Sequence, residues 1–209
     1  GQEIANATGI MTINDFRSED VSKGGQGAPL VPIGDRHLFA EFPICLNIGG
    51  IANVSYEMNG RRVAYDICMA NQLLNYLANK LGYDYDNNGQ FAKQGKVDKE
   101  LFDILNDNAY YKQDAPKSLG REFFENVQHK IIDESSLSIN DLLATATEHI
   151  AHQIVKSTDN LEKSKMLVTG GGAKNNFLIE RICSLSKHEI VIPDVMITDF
   201  KEALIFAFL

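Results

Sequence analysis

The sequence predicts an α/β fold from three observations: short apolar runs alternate with helical periodicity, two of those runs end in glycine clusters, and an Asn-Gly pair marks a hairpin. With 209 residues and 44% hydrophobic side chains, the chain can bury a core. Its formal net charge is −8 and it has no lysine or arginine block, which argues against a nucleic-acid or acidic-membrane surface. Cys45, Cys68 and Cys183 show no metal-binding spacing and read as reduced core residues of a cytoplasmic protein. No signal peptide or transmembrane run is present; residue 1 is glycine and an amphipathic pattern still runs at Leu209, so the chain reads as a piece of something longer.

Along the chain, residues 8–36 read as loop, because DFRSEDV and KGGQGAPLVPIGD carry glycine and proline that set backbone shape and little that builds a core. Phe42–Ile48 reads as a strand, and Asn53–Ile67 as a hairpin around Asn59-Gly60. Leu73, Leu74, Leu77 and Leu81 repeat at helical spacing, predicting a helix over 69–81 with Gly82 as its C-terminal cap. Helices are expected over 98–106 and 121–131. A longer one over 141–157 places Leu143, Ala146, Ile150 and Ile154 on one face and is opened by the capping pattern Ser138 to Asp141. Lys165–Thr169 reads as a strand entering Gly170-Gly171-Gly172, followed by a helix over Asn176–Leu185, a strand at Val191 and Ile192, and a final helix over Lys201–Leu209.

Gly49-Gly50 and Gly170-Gly171-Gly172 each follow an apolar strand directly, where a chain turns sharply and can offer backbone N–H groups to an anion. The bland alternative is a tight turn that needs positive φ. No Walker or GxGxxG pattern is present. Counting back from Asn59-Gly60 pairs Met58 with Arg61, Tyr56 with Val63 and Asn53 with Asp66. The hairpin therefore returns Asp66 to the first glycine turn, where a carboxylate suits a general base near transferring phosphate. The competing reading is that Asp66 caps the helix that follows.

Two metal signals fail. Asp84, Asp86, Asn88 and Gly89 open like a calcium loop, but Gly95 stands where a bidentate glutamate is needed. His149 and His152 have no further ligands nearby and read as helix-surface histidines. Phe123, Phe124 and Val127 read as core.

DFRSEDVSKGGQGAPLVP, LNIGGIANV, Tyr65-Asp66, APKSLGREFF and VTGGGAKNNFLIERI followed by KEALIFAFL occur in the order found in anhydro-N-acetylmuramic acid kinases. The chain resembles that family over nearly its whole length. These are sugar kinases of the actin, hexokinase and heat-shock ATPase superfold, so the resemblance implies a ribonuclease-H-like lobe, α/β, with a mixed sheet flanked by helices. Residues 41–209 would form the second, C-terminal lobe and 1–40 an interlobe, substrate-facing region, with the first lobe outside this chain. The implied activity is ATP- and Mg²⁺-dependent: water opens the 1,6-anhydro bridge of anhydro-N-acetylmuramic acid and O6 is phosphorylated, in bacterial cell-wall recycling. The implied partner is a small sugar, without nucleic acid or membrane, and a homodimer is the assembly the family suggests.

On the same resemblance Asp66 is the catalytic base. Asn47, Gly49, Gly50 and Asn53 belong to the phosphate-contacting turn, and Gly170, Gly171, Gly172 and Lys174 to the turn beside the adenosine. Asp15, Arg17 and the loop holding Gly25, Gln26 and Gly27 face the interlobe cleft, for sugar contact or for positioning Asp66, and Glu202 is a substrate-binding candidate near the cleft, with arginine suited to a lactyl carboxylate; the plainer reading of Asp15 and Arg17 is a surface pair. Lys117 and Arg121 could reach sugar or phosphates, or simply open an exposed helix. No metal ligand is assigned. After the aspartate the family's usual TGPGN stands here as Ile67-Cys68-Met69-Ala70-Asn71, and Leu119 replaces a more frequent threonine. The changed turn motivates a second hypothesis, a non-catalytic nucleotide- or sugar-binding homologue; a third is a stand-alone nucleotide-binding module.

Overall fold

Asn59 and Gly60 occupy the hairpin turn in the computed structural model of this chain, with φ of 53° and 75°, the left-handed pair that a two-residue turn between twisted strands demands. The structure describes every residue except Gly25, Gln26 and Ala28. From that turn the expected register follows: Met58 pairs with Arg61, Glu57 with Arg62, Tyr56 with Val63 and Asn53 with Asp66. Strands β1 (Ile44–Ile48), β2 (Ile51–Met58) and β3 (Arg61–Met69) form an antiparallel meander. β4 (Lys165–Thr169) lies parallel to β1, and β5 (Glu189–Val191) parallel to β4, giving the five-stranded order β3-β2-β1-β4-β5.

Helices cover both faces. α1 (Gln2–Thr8), α2 (Phe16–Ser22) and α3 (Val31–Leu38) precede the sheet. α4 (Asn71–Asn79), α5 (Gln90–Gln94) and α6 (Lys99–Asn106) follow the hairpin. α7 (Arg121–Phe123) runs through a π-helical stretch, Phe124–Gln128, into α8 (His129–Asp133). α9 (Ile139–Thr158) is the longest, and Ser138 caps it by accepting from the Asp141 N–H. α10 (Asn176–Leu185) and α11 (Val195–Phe208) complete the chain.

Strand alternation divides the core. Ile44, Leu46 and Ile48 of β1 point into the larger cluster with Leu73 and Leu77 of α4, Leu143, Ala146, Ile150 and Ile154 of α9, and Leu178 and Ile182 of α10. Cys45 and Leu167 point the other way, against Phe39 and Ile205, with Val31 of α3 and Ile197 of α11 packed alongside. That second face is only partly covered, and its open part holds the site described below.

Several expectations are corrected. Residues 8–36 are not all loop: α2 and most of α3 lie there, with Pro32 in the first turn of α3, where its missing N–H costs nothing. The last helix begins at Val195, capped by the Asp194 carboxylate on the Ile197 N–H. α4 ends before Leu81, which stays exposed, and Gly82 turns the chain with φ of 84°. Cys183 is exposed, whereas Cys45 and Cys68 are buried. His149 is no surface residue: it is wholly buried, with Nδ1 2.9 Å from Asn106 Oδ1 and Nε2 3.3 Å from the Tyr111 hydroxyl. Asp86 is also buried, its carboxylate accepting from the Phe91 and Ala92 N–H groups at 2.9 Å, so the calcium-like loop is a structural turn.

Candidate active site

The register of the sheet sets one polar row across four strands. Asp66 pairs with Asn53, Asn53 with Asn47, and Asn47 with Thr169. Cross-strand partners share a face, so these side chains stand in line on the face that also carries Cys45 and Leu167. A bulge between Ala52 and Asn53 leaves Ile67 unpaired, where β3 twists away beyond Asp66. Asp66 lies within β3 and the residue before α4 is Ala70, so Asp66 does not cap that helix.

A cleft of about 290 Å³ opens over this row and is lined by Arg17, Asn47, Asn53, Asp66, Gly170 and Glu202 of the expected residues. Burial pushes the Asp66 carboxyl above the ordinary carboxylate range, and a hydrogen bond from the Leu119 N–H to Oδ2 at 2.9 Å pulls it partway back. Its proton affinity thus moves toward that of a base at neutral pH. A further cavity of about 500 Å³ adjoins Asp66 and is walled by Pro29, Pro116, Lys117 and Ser118.

Gly170 shows why the second glycine turn is glycine. Its φ is 84° and ψ 172°, a region essentially closed to other residues, and a Cβ there would lie 2.6 Å from Asn47 Oδ1 and 2.8 Å from the Ile48 carbonyl oxygen. The turn therefore packs directly on the end of β1. Gly171 faces a second cavity of about 390 Å³ together with Asn71, Asn75, Lys174 and Asn175. Lys174 Nζ lies 2.6 Å from Asp199 Oδ1, and Asp199 lines the first cleft, so this ion pair stands between the two cavities. The first glycine turn is held from behind: Gly49 and Gly50 carbonyls accept from the Asn71, Ala70 and Gln72 N–H groups, and the Asn71 side chain donates to the Ile48 carbonyl at 3.1 Å.

Arg17 donates to the Gly27 carbonyl at 2.7 Å, and the Asp20 carboxylate accepts from the Gly27 N–H at 2.7 Å. Asp15 is exposed, outside the cleft, with no ion pair to Arg17. Gly25 and Gln26 lie outside the described residues. Arg121 pairs with Glu125 at 2.8 Å on the surface. Cys68 and Met69, the changed residues after Asp66, have no exposed surface and fill the core, so the bulk they add lies away from the cleft.

Sequence reasoning missed the floor of the cleft. Asp35 of α3 and Lys201 of α11 form an ion pair at 2.6 Å with both side chains almost wholly buried. The Ser55 hydroxyl donates to the other Asp35 oxygen at 2.5 Å, and Arg62 donates to Ser55 at 3.0 Å. Ser55 was within reach of the sequence, since it stands two residues from Asn53 on the same strand; nothing local marks Asp35.

The sheet order, the flanking helices and the cleft at the glycine turns define a lobe of the actin-like ATPase and sugar-kinase superfold. Among solved structures the chain is similar in fold to component A of (R)-2-hydroxyglutaryl-CoA dehydratase from Acidaminococcus fermentans, with TM-score 0.51, 15% identity and coverage of 84% of this chain and 64% of that one. It is also similar to xylulose kinase from Rhodospirillum rubrum, with TM-score 0.51, 12% identity and coverage of 100% and 44%. A sequence model of the anhydro-N-acetylmuramic acid kinases matches residues 1–209, and the chain belongs to that family. It is 37% identical over 219 residues to the enzyme of that name from Actinobacillus pleuropneumoniae serotype 7 (strain AP76), covering 99% of this chain and 59% of the relative. It is 38% identical over 219 residues to the one from Vibrio cholerae serotype O1, with the same coverage. The chain thus spans well under two thirds of the length of these relatives.

Proposed function

We propose that the protein to which this chain belongs is a cytoplasmic, ATP-dependent kinase of 1,6-anhydro-N-acetylmuramic acid, with Asp66 as its general base. The single observation that carries the reading is the row Asp66, Asn53, Asn47 and Thr169, which runs from a partly buried carboxylate to the Gly170 turn along the floor of one cleft. Water would add to the anomeric carbon as its proton passes to Asp66, the bridging C–O bond would break with its electrons left on O6, and O6 would attack the γ-phosphorus as the bond to the β,γ-bridging oxygen breaks and ADP leaves. Arg17 lines the cleft and has guanidinium N–H groups beyond the one given to Gly27, which supports a role for it in holding the sugar's carboxylate. Glu202 lines the same cleft and would accept sugar hydroxyls. Gly171 and Lys174 border the cavity that suits the nucleoside.

The residues present fit a nucleotide. At Gly50 the nearest atom to an added Cβ is 3.9 Å away, and at Gly171 it is 3.5 Å away, so at both turns neighbouring protein atoms come no closer than ordinary van der Waals contact. Among the described residues no group of three or more His, Cys, Asp and Glu side chains is placed to hold a metal. Mg²⁺, as this reading implies it, would be carried by the phosphates and water and would neutralise charge on the transferring group.

The altered turn does not favour the non-catalytic reading, because Cys68 and Met69 are buried in the core. The test is product identification. Full-length protein with Mg-ATP and the anhydro sugar should yield ADP and N-acetylmuramic acid 6-phosphate in equal amounts by mass spectrometry. ATP hydrolysis indifferent to the sugar would overturn the proposal.

A further inference from the structure

Asp66 lies on an edge strand. β3 is the first strand in the sheet order, so the residues whose N–H and C=O groups point away from β2 have no neighbouring strand to bond. At Asp66 a single loop supplies both partners. The Asp66 N–H donates to the Lys117 carbonyl at 3.3 Å, and the Asp66 carbonyl accepts a hydrogen bond from the Tyr110 hydroxyl. The same loop binds the carboxylate, through the Leu119 N–H to Oδ2 at 2.9 Å. Among the described residues Oδ1 receives no protein hydrogen bond, so one oxygen is fixed and the other is left for chemistry.

The loop is itself pinned. Asn108 Oδ1 accepts from the Tyr110 N–H at 2.9 Å, and Lys117 Nζ donates to the Tyr110 carbonyl at 3.2 Å. The Lys117 ammonium lies 4.8 Å from the Tyr110 ring centre and 5.5 Å from that of Tyr65, and the Tyr110 ring packs against Phe123 at 5.8 Å. Tyr110 is 8% exposed, so its hydroxyl has little freedom to swing away. Leu119 has its side chain in the core, which anchors the backbone whose N–H bonds the Asp66 carboxylate.

We infer that residues 108–119 form a clamp that positions the base, with Tyr110 and the Leu119 N–H as its two active grips; this rests on the reading of Asp66 as the base. Tyr110 is a positioning residue, acting on the Asp66 main chain and not on substrate. Edge protection alone would explain the two backbone bonds, but it does not require the third bond to the carboxylate. Tyr65 and Lys117 flank Asp66 on its own side of the cleft. Arg17, Asp35, Asp199, Lys201 and Glu202 share the cleft from other elements. Burial raises the Asp66 carboxyl, and the Leu119 N–H opposes it.

The test uses the full-length protein with Tyr110→Phe and Leu119→Pro, the second deleting the N–H donor. Carboxyl ¹³C NMR, with Asp66 assigned by Asp66→Asn, should show the Asp66 titration move up by about one pH unit in Leu119→Pro. The acid limb of kcat/KM should move with it. Tyr110→Phe should lower kcat by about tenfold or more while both KM values hold, and should speed hydrogen exchange at the Leu119 amide. Should Leu119→Pro not fold, Tyr110→Phe decides alone. An unchanged kcat in Tyr110→Phe despite faster exchange would overturn positioning, as would a titration unmoved in Leu119→Pro. A wild-type protein that makes no ADP would overturn the kinase reading instead, and the titration tells the two failures apart because it needs no turnover.

Discussion

Asp66 and Thr169, far apart in sequence, stand at the two ends of one row of cross-strand partners, joined by Asn53 and Asn47. The row exists because an antiparallel meander and a parallel strand share β1, so a single hairpin register fixes which side chains line the cleft. A slip by one residue at Asn59-Gly60 would turn Asp66 to the opposite face.

Gly170→Ala should cost at least about 2 kcal/mol, since it combines a backbone region reserved for glycine with contact on Asn47 and the Ile48 carbonyl. Gly171→Ala has room, with the nearest atom at 3.5 Å, and should leave the melting temperature near wild type. Thermal melts of the two variants side by side check the contrast; equal melting temperatures would contradict it.

The Asp35–Lys201 pair should behave as a buried unit. Lys201→Met or Asp35→Asn alone leaves an uncompensated polar group beside Ser55 and should destabilise by about 3–5 kcal/mol. The double variant should cost clearly less than the sum, a non-additivity that denaturant unfolding in a double-mutant cycle measures. Additive costs would mean that the two side chains are not energetically coupled.

Burial, aided by His152, pulls His149 down to about 3, against about 6.5 in an unfolded chain. Between these values the unfolded chain binds the extra proton. Stability therefore rises with pH across that window and is complete above about 6.5, with this group contributing up to ~1.4 kcal/mol per pH unit. His149→Gln, which keeps a hydrogen-bonding side chain for Asn106 and Tyr111, should flatten the loss of stability on acidification. Parallel stability profiles for the two proteins would contradict the assignment.

The sequence made legible what local chemistry specifies. Asn59-Gly60 set the hairpin and its register, and Lys165–Thr169 and Asn176–Leu185 stand where the apolar pattern puts them. α2 and α3 were hidden because glycine and proline around them mask the periodicity. α11 was read too late because Pro193-Asp194, a stop and a cap, was not weighed. His149 looked like a surface residue because the partners that allow its burial, Asn106 at the end of α6 and Tyr111 just beyond it, are distant in sequence. Gly49, Gly170 and Asp66 could be singled out from strand-to-turn spacing. The Asp35, Ser55 and Lys201 floor could not, since it forms only when α3 and α11 meet on one face of the sheet.

The most direct measurement of the central claim is sugar-dependent ADP release by the full-length protein, wild type against Asp66→Asn. The substitution keeps the size of the side chain and a carbonyl oxygen for the Leu119 N–H, and removes only the basic oxygen. We predict turnover in the wild type and a loss of about 10²–10⁴-fold in kcat for the variant with KM for ATP unchanged. Wild-type turnover that survives Asp66→Asn within a few-fold would contradict the account.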